Sequence, residues 1–217
     1  MMQKYQLNRQ CLILMLGLPG AGKTYFSRQI SELLNVSHVS GDRIRYELFS
    51  KATLDETENH LVGQIMNYMT ENLIKSGASV IYDDVSTLRY KDRFKLRQYA
   101  SDNNIPILTV WVQTDSNTCA SRALNRDRRT IDDKYSHSID RKAFDKLSAK
   151  LEKPQYREEY TVISGKYGFK NQATSFVKKL RELELLNEPT PNKKEPPAIR
   201  PLSSPRREPL QRHIRIR

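Results

Sequence analysis

The chain has 217 residues, of which 37% are hydrophobic, so it can form one globular domain with a core. It contains two cysteines, Cys11 and Cys119, and no apolar run approaches the roughly 18 residues of a membrane span, which excludes disulfide-stapled and membrane-spanning classes. Lysine and arginine outnumber aspartate and glutamate by 37 to 25, and the net charge of +12 favours anionic partners. We therefore expect a cytoplasmic protein that binds anions and no membrane. The two cysteines and four scattered histidines predict no metal site of their own.

The first predicted element is a buried strand at CLILMLG (11–17), because both of its faces are apolar. The segment GLPGAGKT (17–24) follows and matches the pattern G-x-x-x-x-G-K-[ST] in full. Residues 22–35 then show the apolar spacing of an amphipathic helix. A strand, a glycine loop and a helix in this order are the context that a P-loop requires.

A P-loop predicts a site for a nucleoside triphosphate. Its glycines let the loop turn so that backbone N–H groups line a concavity, and the following helix N-terminus adds partial positive charge. Lys23 reaches the β- and γ-phosphates in this pattern, and the Thr24 hydroxyl binds Mg²⁺. The nucleotide-binding residues predicted in this way are Gly17, Leu18, Pro19, Gly20, Ala21, Gly22, Lys23 and Thr24.

The second predicted strand, HVS (38–40), leads into SGDRIRYEL (40–48). Asp42 falls at the carboxyl edge of the sheet, where open α/β sheets bind ligands, so its carboxylate can accept the proton of an acceptor hydroxyl. Arg45 lies three residues further on and can bind an anion on that acceptor. Both residues also fit plainer roles, Asp42 as a helix N-cap and Arg45 on a solvated face. A long helical region then covers residues 44–77.

The third predicted strand, ASVIYDD (78–84), ends in two carboxylates, Asp83 and Asp84. The large ATPase families usually carry Asp-Glu after such a strand, with the glutamate activating water, but no glutamate stands here. An aspartate at this position can hold the Mg²⁺ shell or orient an acceptor. It can also cap the helix that begins near Ser86.

A basic helix (87–101), a fourth strand PILTVWV (106–112) and another helix (115–126) follow. Arg122 and Arg126 are four residues apart and therefore share one face of the last of these helices. Arginines on a segment that closes over phosphates neutralise charge during phosphoryl transfer and help to exclude water. A solvated basic helix is the plainer alternative.

A helix at 138–151, a last strand YTVIS (160–164) and a last helix at 172–186 complete the pattern. Alternating strands and helices predict the α/β class, with a five-stranded, mainly parallel sheet between two layers of helices. With the P-loop, this pattern predicts the P-loop NTPase fold, and the family resemblance given below implies its kinase type.

We expect one P-loop domain at 1–187, with a helical lid at about 119–150. Residues 188–217 contain seven of the ten prolines, and their eight lysines and arginines face three glutamates. This composition predicts a disordered basic tail, which either adds affinity for nucleic acid or only improves solubility. The tail has a net charge of +5, which leaves +7 on residues 1–187.

These motifs together resemble the P-loop kinases that include the 5′-kinase domain of phage polynucleotide kinase, the zeta-toxin-like kinases and small ATP-binding proteins labelled AAA family. The resemblance covers about residues 12–166 and is carried by GLPGAGKT, SGDRIR, VIYDD, SRALNR (121–126) and LEKPQYREEY (151–160). It implies ATP as the phosphate donor, with Mg²⁺.

The resemblance also implies roles for individual residues. Asp42 matches the general base, and Arg45 matches the arginine that contacts the phosphate of the acceptor. Asp84 matches the aspartate that positions the acceptor nucleotide, and Arg122 and Arg126 match the two lid arginines. The expected catalytic residues are then Lys23, Asp42, Arg122 and Arg126, the expected acceptor-binding residues are Arg45 and Asp84, and the expected metal-binding residues are Thr24 and Asp83.

One departure concerns the acceptor side of the site. The family commonly continues its third strand as Asp-Thr/Ala-Asn, whereas this chain has Asp84-Val85-Ser86. The departure bears on the identity of the acceptor. No DxDGT-type motif follows, so we expect no attached 3′-phosphatase.

Three functions fit the sequence. The first is an ATP-dependent kinase that phosphorylates an acceptor hydroxyl, with the 5′-OH of a polynucleotide as the acceptor that the basic charge favours. The second has the same chemistry and a small-molecule acceptor, such as an aminosugar, a nucleoside or a metabolite. The third is a non-catalytic ATP-binding adaptor whose tail recruits anionic partners. The oligomeric state stays open.

Overall fold

The structure is a computed structural model that describes residues 4–127, 129–131 and 133–186. The basic tail expected at 188–217 lies outside the described residues. In the described part of the chain, no helix combines the length and the apolar character needed to cross a bilayer.

A five-stranded parallel sheet forms the centre of the domain, which confirms the predicted fold class. Its strands are β1 (Leu12–Leu16), β2 (Ser37–Ser40), β3 (Val80–Asp83), β4 (Ile107–Gln113) and β5 (Tyr160–Ser164). They stand in the order β2-β3-β1-β4-β5, so the wholly buried β1 is the central strand. Because all pairings are parallel, the carboxyl ends of the strands share one edge, which is where open α/β sheets bind ligands.

The helices cover both faces of this sheet. In the described residues they are α1 (Lys23–Leu34), α2 (Gly41–Leu48), α3 (Glu56–Lys75), α4 (Tyr90–Asp102), α5 (Ser116–Leu124), α6 (Arg141–Ser148) and α7 (Phe169–Glu182), and a 3-10 turn (Val85–Leu88) precedes α4.

Alternate residues of β1 divide the core into two layers. Ile13 and Met15 pack in one cluster with residues of α1 and α7, among them Phe26 and Phe176, whose rings meet edge to face at 5.5 Å. Leu12 and Leu14 face the opposite cluster, which includes residues of α3 and α4. The side chains of a strand alternate between its two faces, so a strand that is apolar throughout supports helices on both sides.

The helical region expected at 44–77 is two helices rather than one. The chain leaves α2 in an extended conformation at Phe49, and Asp55 begins α3 by accepting a hydrogen bond from the backbone N–H of Glu58 at 2.8 Å. An N-cap of this kind satisfies a backbone donor that a new helix would otherwise leave unpaired. The break matters for function because it leaves α2 as a short helix at the carboxyl edge of the sheet.

The segment after β3 also differs from the single helix expected at 87–101. The Asp84 side chain accepts a hydrogen bond from the backbone N–H of Ser86 at 2.9 Å and starts the 3-10 turn. Arg89 is extended and separates that turn from α4. The capping role considered for an aspartate at the end of the third strand is therefore filled by Asp84.

Candidate active site

A cavity of about 420 Å³ opens at the carboxyl edge of the sheet. Its walls come from the glycine loop before α1, the start of α2, the end of β3, the end of α5 and the loop after β5. The predicted site residues that line it are Pro19, Gly20, Gly22, Lys23, Thr24, Asp42, Arg45, Asp83, Asp84, Arg122 and Arg126. The fold thus gathers into one cavity residues that lie more than a hundred positions apart in the sequence, from Pro19 to Arg126.

The glycine loop curls around the Lys23 side chain. The Lys23 ammonium donates hydrogen bonds to the carbonyl oxygens of Gly17 at 2.9 Å and Leu18 at 3.1 Å. Burial lowers the pKa of this ammonium, and the nearby carboxylates of Asp83 and Asp42 act in the opposite direction. A buried lysine held on carbonyl oxygens is well placed to exchange these bonds for phosphate oxygens.

Gly20 shows why this loop needs glycine. Its φ is +80°, in the left-handed region that L side chains rarely adopt, and a Cβ there would overlap the carbonyl oxygen of Cys119 at the start of the lid. The loop therefore packs directly on the backbone of α5. This contact ties the P-loop to the helix that carries Arg122.

Thr24 and Asp83 meet at the floor of the cavity. The Thr24 hydroxyl donates a hydrogen bond to Oδ2 of Asp83 at 2.9 Å, and His38 Nε2 lies 3.3 Å from the same oxygen. Parallel pairing of β2 and β3 places Ser40 beside Asp83, so the two strands end together at this point. The two residues expected to hold a metal are thus brought into contact.

Asp42 faces the cavity from the first turn of α2 and is held by two residues of the lid segment, which we define as residues 119–150. Arg126 donates to Oδ2 of Asp42 at 3.1 Å, and the Ser136 hydroxyl donates to the same oxygen at 2.9 Å. Partial burial raises the pKa of the carboxyl, but the positive charges of Arg126 and Arg45 and the Ser136 hydrogen bond outweigh it, so the pKa is lowered. The carboxylate is therefore held in its charged form.

The alternative role of Asp42 as a helix N-cap does not occur. Ser40 is the N-cap residue of α2, and its hydroxyl accepts the backbone N–H of Arg43 at 3.4 Å. Asp42 lies inside the helix, where a negative charge in the first turn interacts favourably with the helix dipole. Its side chain is left for the cavity and the lid segment.

Arg45 does not lie on the solvated face considered for it in the sequence. It is only 1% exposed, and its guanidinium contacts Oδ1 of Asp84 at 2.6 Å, Oε1 of Glu58 at 3.1 Å and Oδ1 of Asn59 at 2.7 Å. It is therefore not on a solvated face, and its charge is already matched by two buried carboxylates. The loss of solvation on burial has to be offset by such partners.

Gly41 is what allows this arrangement. A Cβ at this position would overlap the carboxylate of Asp84 and crowd the guanidinium of Arg45. The start of α2 can thus approach the end of β3 closely only with glycine before Asp42. Each residue of Ser-Gly-Asp thus has a structural role. Ser40 caps the N-terminus of α2, Gly41 leaves space for the Asp84 carboxylate, and Asp42 faces the cavity.

Arg122 and Arg126 both reach the cavity from the lid segment. Arg122 donates to the carbonyl oxygen of Gly165 at 3.1 Å, in the loop after β5, while Arg126 pairs with Asp42. Both arginines thus line the cavity, although α5 ends at Leu124 and Arg126 lies beyond the helix expected at 115–126. A plain solvated helix would not place both side chains in the same cavity.

The residues present fit a nucleotide and its metal ion. Three P-loop glycines with positive φ and a lysine held on carbonyl oxygens form a concave cationic site. The hydroxyl of Thr24 and the carboxylate of Asp83 are hard oxygen ligands of the kind that Mg²⁺ prefers. Among the described residues, no group of three or more His, Cys, Asp or Glu residues is placed to hold a metal ion.

Sequence reasoning missed several polar residues that contact the predicted site residues, among them His38, Ser136 and Glu58. His38 contacts Asp83, Ser136 contacts Asp42, and Glu58 contacts Arg45. His38 lies two residues before the end of β2, so its proximity to the edge of the sheet could have been noticed. Ser136 and Glu58 depend on tertiary packing across long stretches of chain, and nothing in their local sequence marks them.

Comparison with known proteins gives the family. The AAA domain model AAA_33 matches residues 12–154. Solved structures with a similar fold include Kti12 from Chaetomium thermophilum in complex with ADP-AlF3, which is 17% identical, with 82% of this chain and 100% of that chain covered and a TM-score of 0.61. A gluconokinase from Sinorhizobium meliloti 1021 is 17% identical over 80% of this chain and 93% of that chain, with a TM-score of 0.58. The Mycobacterium tuberculosis APS kinase CysC in complex with AMPPNP and APS is 17% identical over 80% of this chain and 98% of that chain, with a TM-score of 0.56.

At these identities the solved structures show a shared fold and nothing finer. No curated protein matches the sequence. The expected resemblance to polynucleotide 5′-kinases in particular therefore stays a prediction, whereas the resemblance to P-loop kinases is confirmed at the level of the fold. Because the family model spans about two thirds of the sequence and begins at the central strand before the P-loop, the chain belongs to the AAA domain family AAA_33, with the fold of a P-loop kinase.

Proposed function

We propose that the chain is an ATP- and Mg²⁺-dependent kinase that transfers the γ-phosphate to the 5′-hydroxyl of a polynucleotide. The observation that carries this proposal is that Lys23, Asp42 and Arg126 share one cavity, with Asp42 held in its charged form at the carboxyl edge of the sheet. Phosphoryl transfer needs cations for the phosphates and an acceptor for one proton. This cavity contains both.

We propose that the glycine loop and Lys23 bind the β- and γ-phosphates, and that Thr24 and Asp83 hold Mg²⁺. When bound, the ion neutralises charge on the phosphates. The Thr24–Asp83 hydrogen bond of 2.9 Å keeps the two side chains next to each other before any ligand arrives. Preorganisation of this kind avoids moving the groups during the reaction.

In the transfer itself, the acceptor hydroxyl oxygen forms a bond to the γ-phosphorus while the bond from that phosphorus to the β–γ bridging oxygen breaks. Asp42 accepts the hydroxyl proton, and ADP leaves with the bridging oxygen. Arg122 and Arg126 neutralise the charge on the transferring group. Arg126 would then exchange its present partner, Asp42, for phosphate, which frees the carboxylate when the donor binds.

We propose that Asp84 orients the acceptor and that Arg45 acts mainly through Asp84. Arg45 is buried and binds Asp84 at 2.6 Å, which supports a positioning role more than the direct contact with acceptor phosphate that the resemblance implies. Asp84 is also fixed by its capping bond to Ser86. These two contacts fix the orientation of the Asp84 carboxylate.

A small-molecule acceptor is the second candidate. It is favoured by the similar solved structures, which include a gluconokinase and an APS kinase. The polynucleotide is favoured by the net charge of +7 on residues 1–187. A non-catalytic ATP-binding adaptor would not require an ionised carboxylate such as Asp42, paired with a lid arginine, in the nucleotide cavity.

The test is transfer of labelled γ-phosphate from ATP·Mg²⁺ to a panel that contains a 5′-hydroxyl oligonucleotide, nucleosides and small sugars. We expect label on the oligonucleotide, and we expect the transfer to weaken as salt rises while ATP binding changes little. Label only on a small molecule would replace the polynucleotide with the second candidate. ATP binding without transfer to any acceptor in the panel would favour the adaptor.

A further inference from the structure

We infer that the mouth of the cavity carries a surface for single-stranded nucleic acid, made by α2 and the lid segment. We call this surface the aromatic rim and define it as Arg43, Tyr46, Lys134, Tyr135 and His137. The inference rests on the proposed function and deepens it, because it states how a polynucleotide would reach Asp42.

Three rings make up the rim. Tyr46 of α2 meets Tyr135 of the lid segment edge to face, with ring centroids 5.4 Å apart and an interplanar angle of 75°. The His137 ring lies 6.5 Å from Tyr46. Tyr46 is 41% exposed despite these contacts, so part of its ring is open to solvent. A partly exposed aromatic ring is a platform on which an unpaired base can stack.

Two cations lie against one of these rings, that of Tyr135. The guanidinium carbon of Arg43 is 5.4 Å from the centroid of Tyr135, and the ammonium of Lys134 is 5.2 Å from it. Both side chains belong to exposed residues. Tyr135 therefore holds two positive charges beside the stacking platform, and such charges suit the phosphates that link successive bases.

The rim is continuous with the proposed catalytic carboxylate. Arg43 follows Asp42 directly in α2, and Tyr46 lies one helical turn beyond Asp42. On the lid side, Ser136 stands between Tyr135 and His137 and donates to Asp42 at 2.9 Å. A strand that stacks on Tyr46 and binds Arg43 and Lys134 through its phosphates would thus bring its terminal hydroxyl toward Asp42.

The chemistry of the rim selects among acceptors. A small sugar or a nucleoside is too short to occupy the cavity and reach several rim residues together. A duplex keeps its bases paired and offers no free base face to Tyr46. Alternating aromatic and cationic side chains instead match a single strand, in which bases and phosphates alternate.

The experiment is fluorescence anisotropy of a labelled ten-residue oligothymidylate with the full chain and its variants. Tyr46→Ala should weaken binding about tenfold because one stacked base is lost, and Tyr46→Trp should restore most of the affinity. The double variant Arg43→Gln/Lys134→Gln should lower the slope of log affinity against log salt by about 1.4, since each phosphate contact on a single strand contributes about 0.7.

Tyr156→Ala is the matched control. Tyr156 is 87% exposed and also has an arginine over its ring, Arg157 at 5.4 Å, but it lies between α6 and β5 and is not part of the rim. Removal of the Tyr156 ring should leave oligonucleotide binding unchanged. ATP binding by every variant shows that the domain has folded.

The outcomes separate the rim from the proposed function. Loss of affinity in Tyr46→Ala but not in Tyr156→Ala supports the rim, even if no label reaches the oligonucleotide and the kinase proposal fails on its own. The inference is overturned if the wild type and Tyr46→Ala bind the oligonucleotide equally well, or if the wild type does not bind it. This holds whatever the transfer assay gives.

Discussion

Asp42 keeps its charge in a partly buried position because the lid segment supplies a cation and a hydroxyl. Burial disfavours the ionised carboxyl, but Arg126, Arg45 and Ser136 together lower its pKa below the ordinary value of 3.8. Asp42 therefore contributes stability above its unfolded-state pKa, and this contribution is lost as the pH falls through its lower pKa in the folded protein. At neutral pH the carboxylate is therefore ionised, as the proposed role of general base requires.

Arg126→Gln should raise the pKa of Asp42, because the ionised carboxylate loses its nearest positive charge, at 3.1 Å. The measurement is a pH titration of the Asp42 carboxyl carbon by NMR in the absence of nucleotide. Lys178→Gln, on an exposed pair in α7, is the matched control and should leave the titration where it is. A midpoint that does not move in Arg126→Gln would show that the pair has little influence on Asp42.

Motifs in the sequence located residues that the fold brings together, whereas contacts that depend on burial could not be predicted. Asp42, Arg122, Arg126 and five of the eight P-loop residues line one cavity, and the other three, Gly17, Leu18 and Ala21, do not. Arg45 is charged and three residues from Asp42, and nothing in the sequence revealed that α3 would supply Glu58 as its partner. Ser136 was missed for the same reason, since its bond to Asp42 spans 94 residues.

At the scale of elements, a buried ion pair joins α4 to the segment between α6 and β5. Arg93 and Glu158 are paired through two hydrogen bonds, of 2.9 Å and 3.0 Å, and both side chains are completely buried. Arg93 also donates to the carbonyl oxygens of Thr87 and Leu88 in the 3-10 turn after Asp84. The pair thus fixes the turn that follows a proposed acceptor-binding residue.

Arg93→Met should lower the free energy of unfolding by about 3–5 kcal/mol, because it leaves the Glu158 carboxylate buried without its partner. Equilibrium unfolding in urea measures the change. Arg141→Met is the matched control: Arg141 pairs with Asp145 on the exposed surface of α6, where such pairs contribute at most about 0.5 kcal/mol. Equal losses in the two variants would contradict the importance of the buried pair.

The strands were easier to predict than the helices. Each strand is a short apolar run, so all five were found within two residues of their observed ends, and YTVIS at 160–164 was exact in both bounds. The break between α2 and α3 was missed because Phe49 and Leu54 continue the apolar content of the region and hide a change of backbone direction. Apolar content identifies an element more reliably than it locates the end of a helix.

At the scale of the whole molecule, the end of the described chain closes the core. Leu185 and Leu186 are buried, and Leu186 pairs with Leu7 in an antiparallel bridge. The backbone N–H of Asn8 also donates a hydrogen bond to the carbonyl oxygen of Leu185 at 3.0 Å. The two ends of the domain are therefore held together next to α7. The domain predicted at 1–187 includes all of these contacts.

Deletion of 188–217 should leave the melting temperature of the domain unchanged, because every contact just described remains. Deletion of 185–217 should lower the free energy of unfolding by about 2–5 kcal/mol or more, since it removes two buried leucines. Thermal unfolding of the two truncated chains beside the full chain measures both effects. A large loss of stability in the shorter deletion would show that the tail packs on the domain.

The most direct test of the central claim is the Asp42→Asn variant, assayed for ATP binding and for transfer of labelled phosphate to the acceptor that the wild type uses. Asparagine keeps the size of the side chain but cannot accept the proton as a carboxylate does. We predict ATP affinity within a fewfold of the wild type and a loss of transfer of about a hundredfold or more, with Lys23→Ala losing both. Transfer by Asp42→Asn at the rate of the wild type would contradict the assignment of Asp42 as the general base.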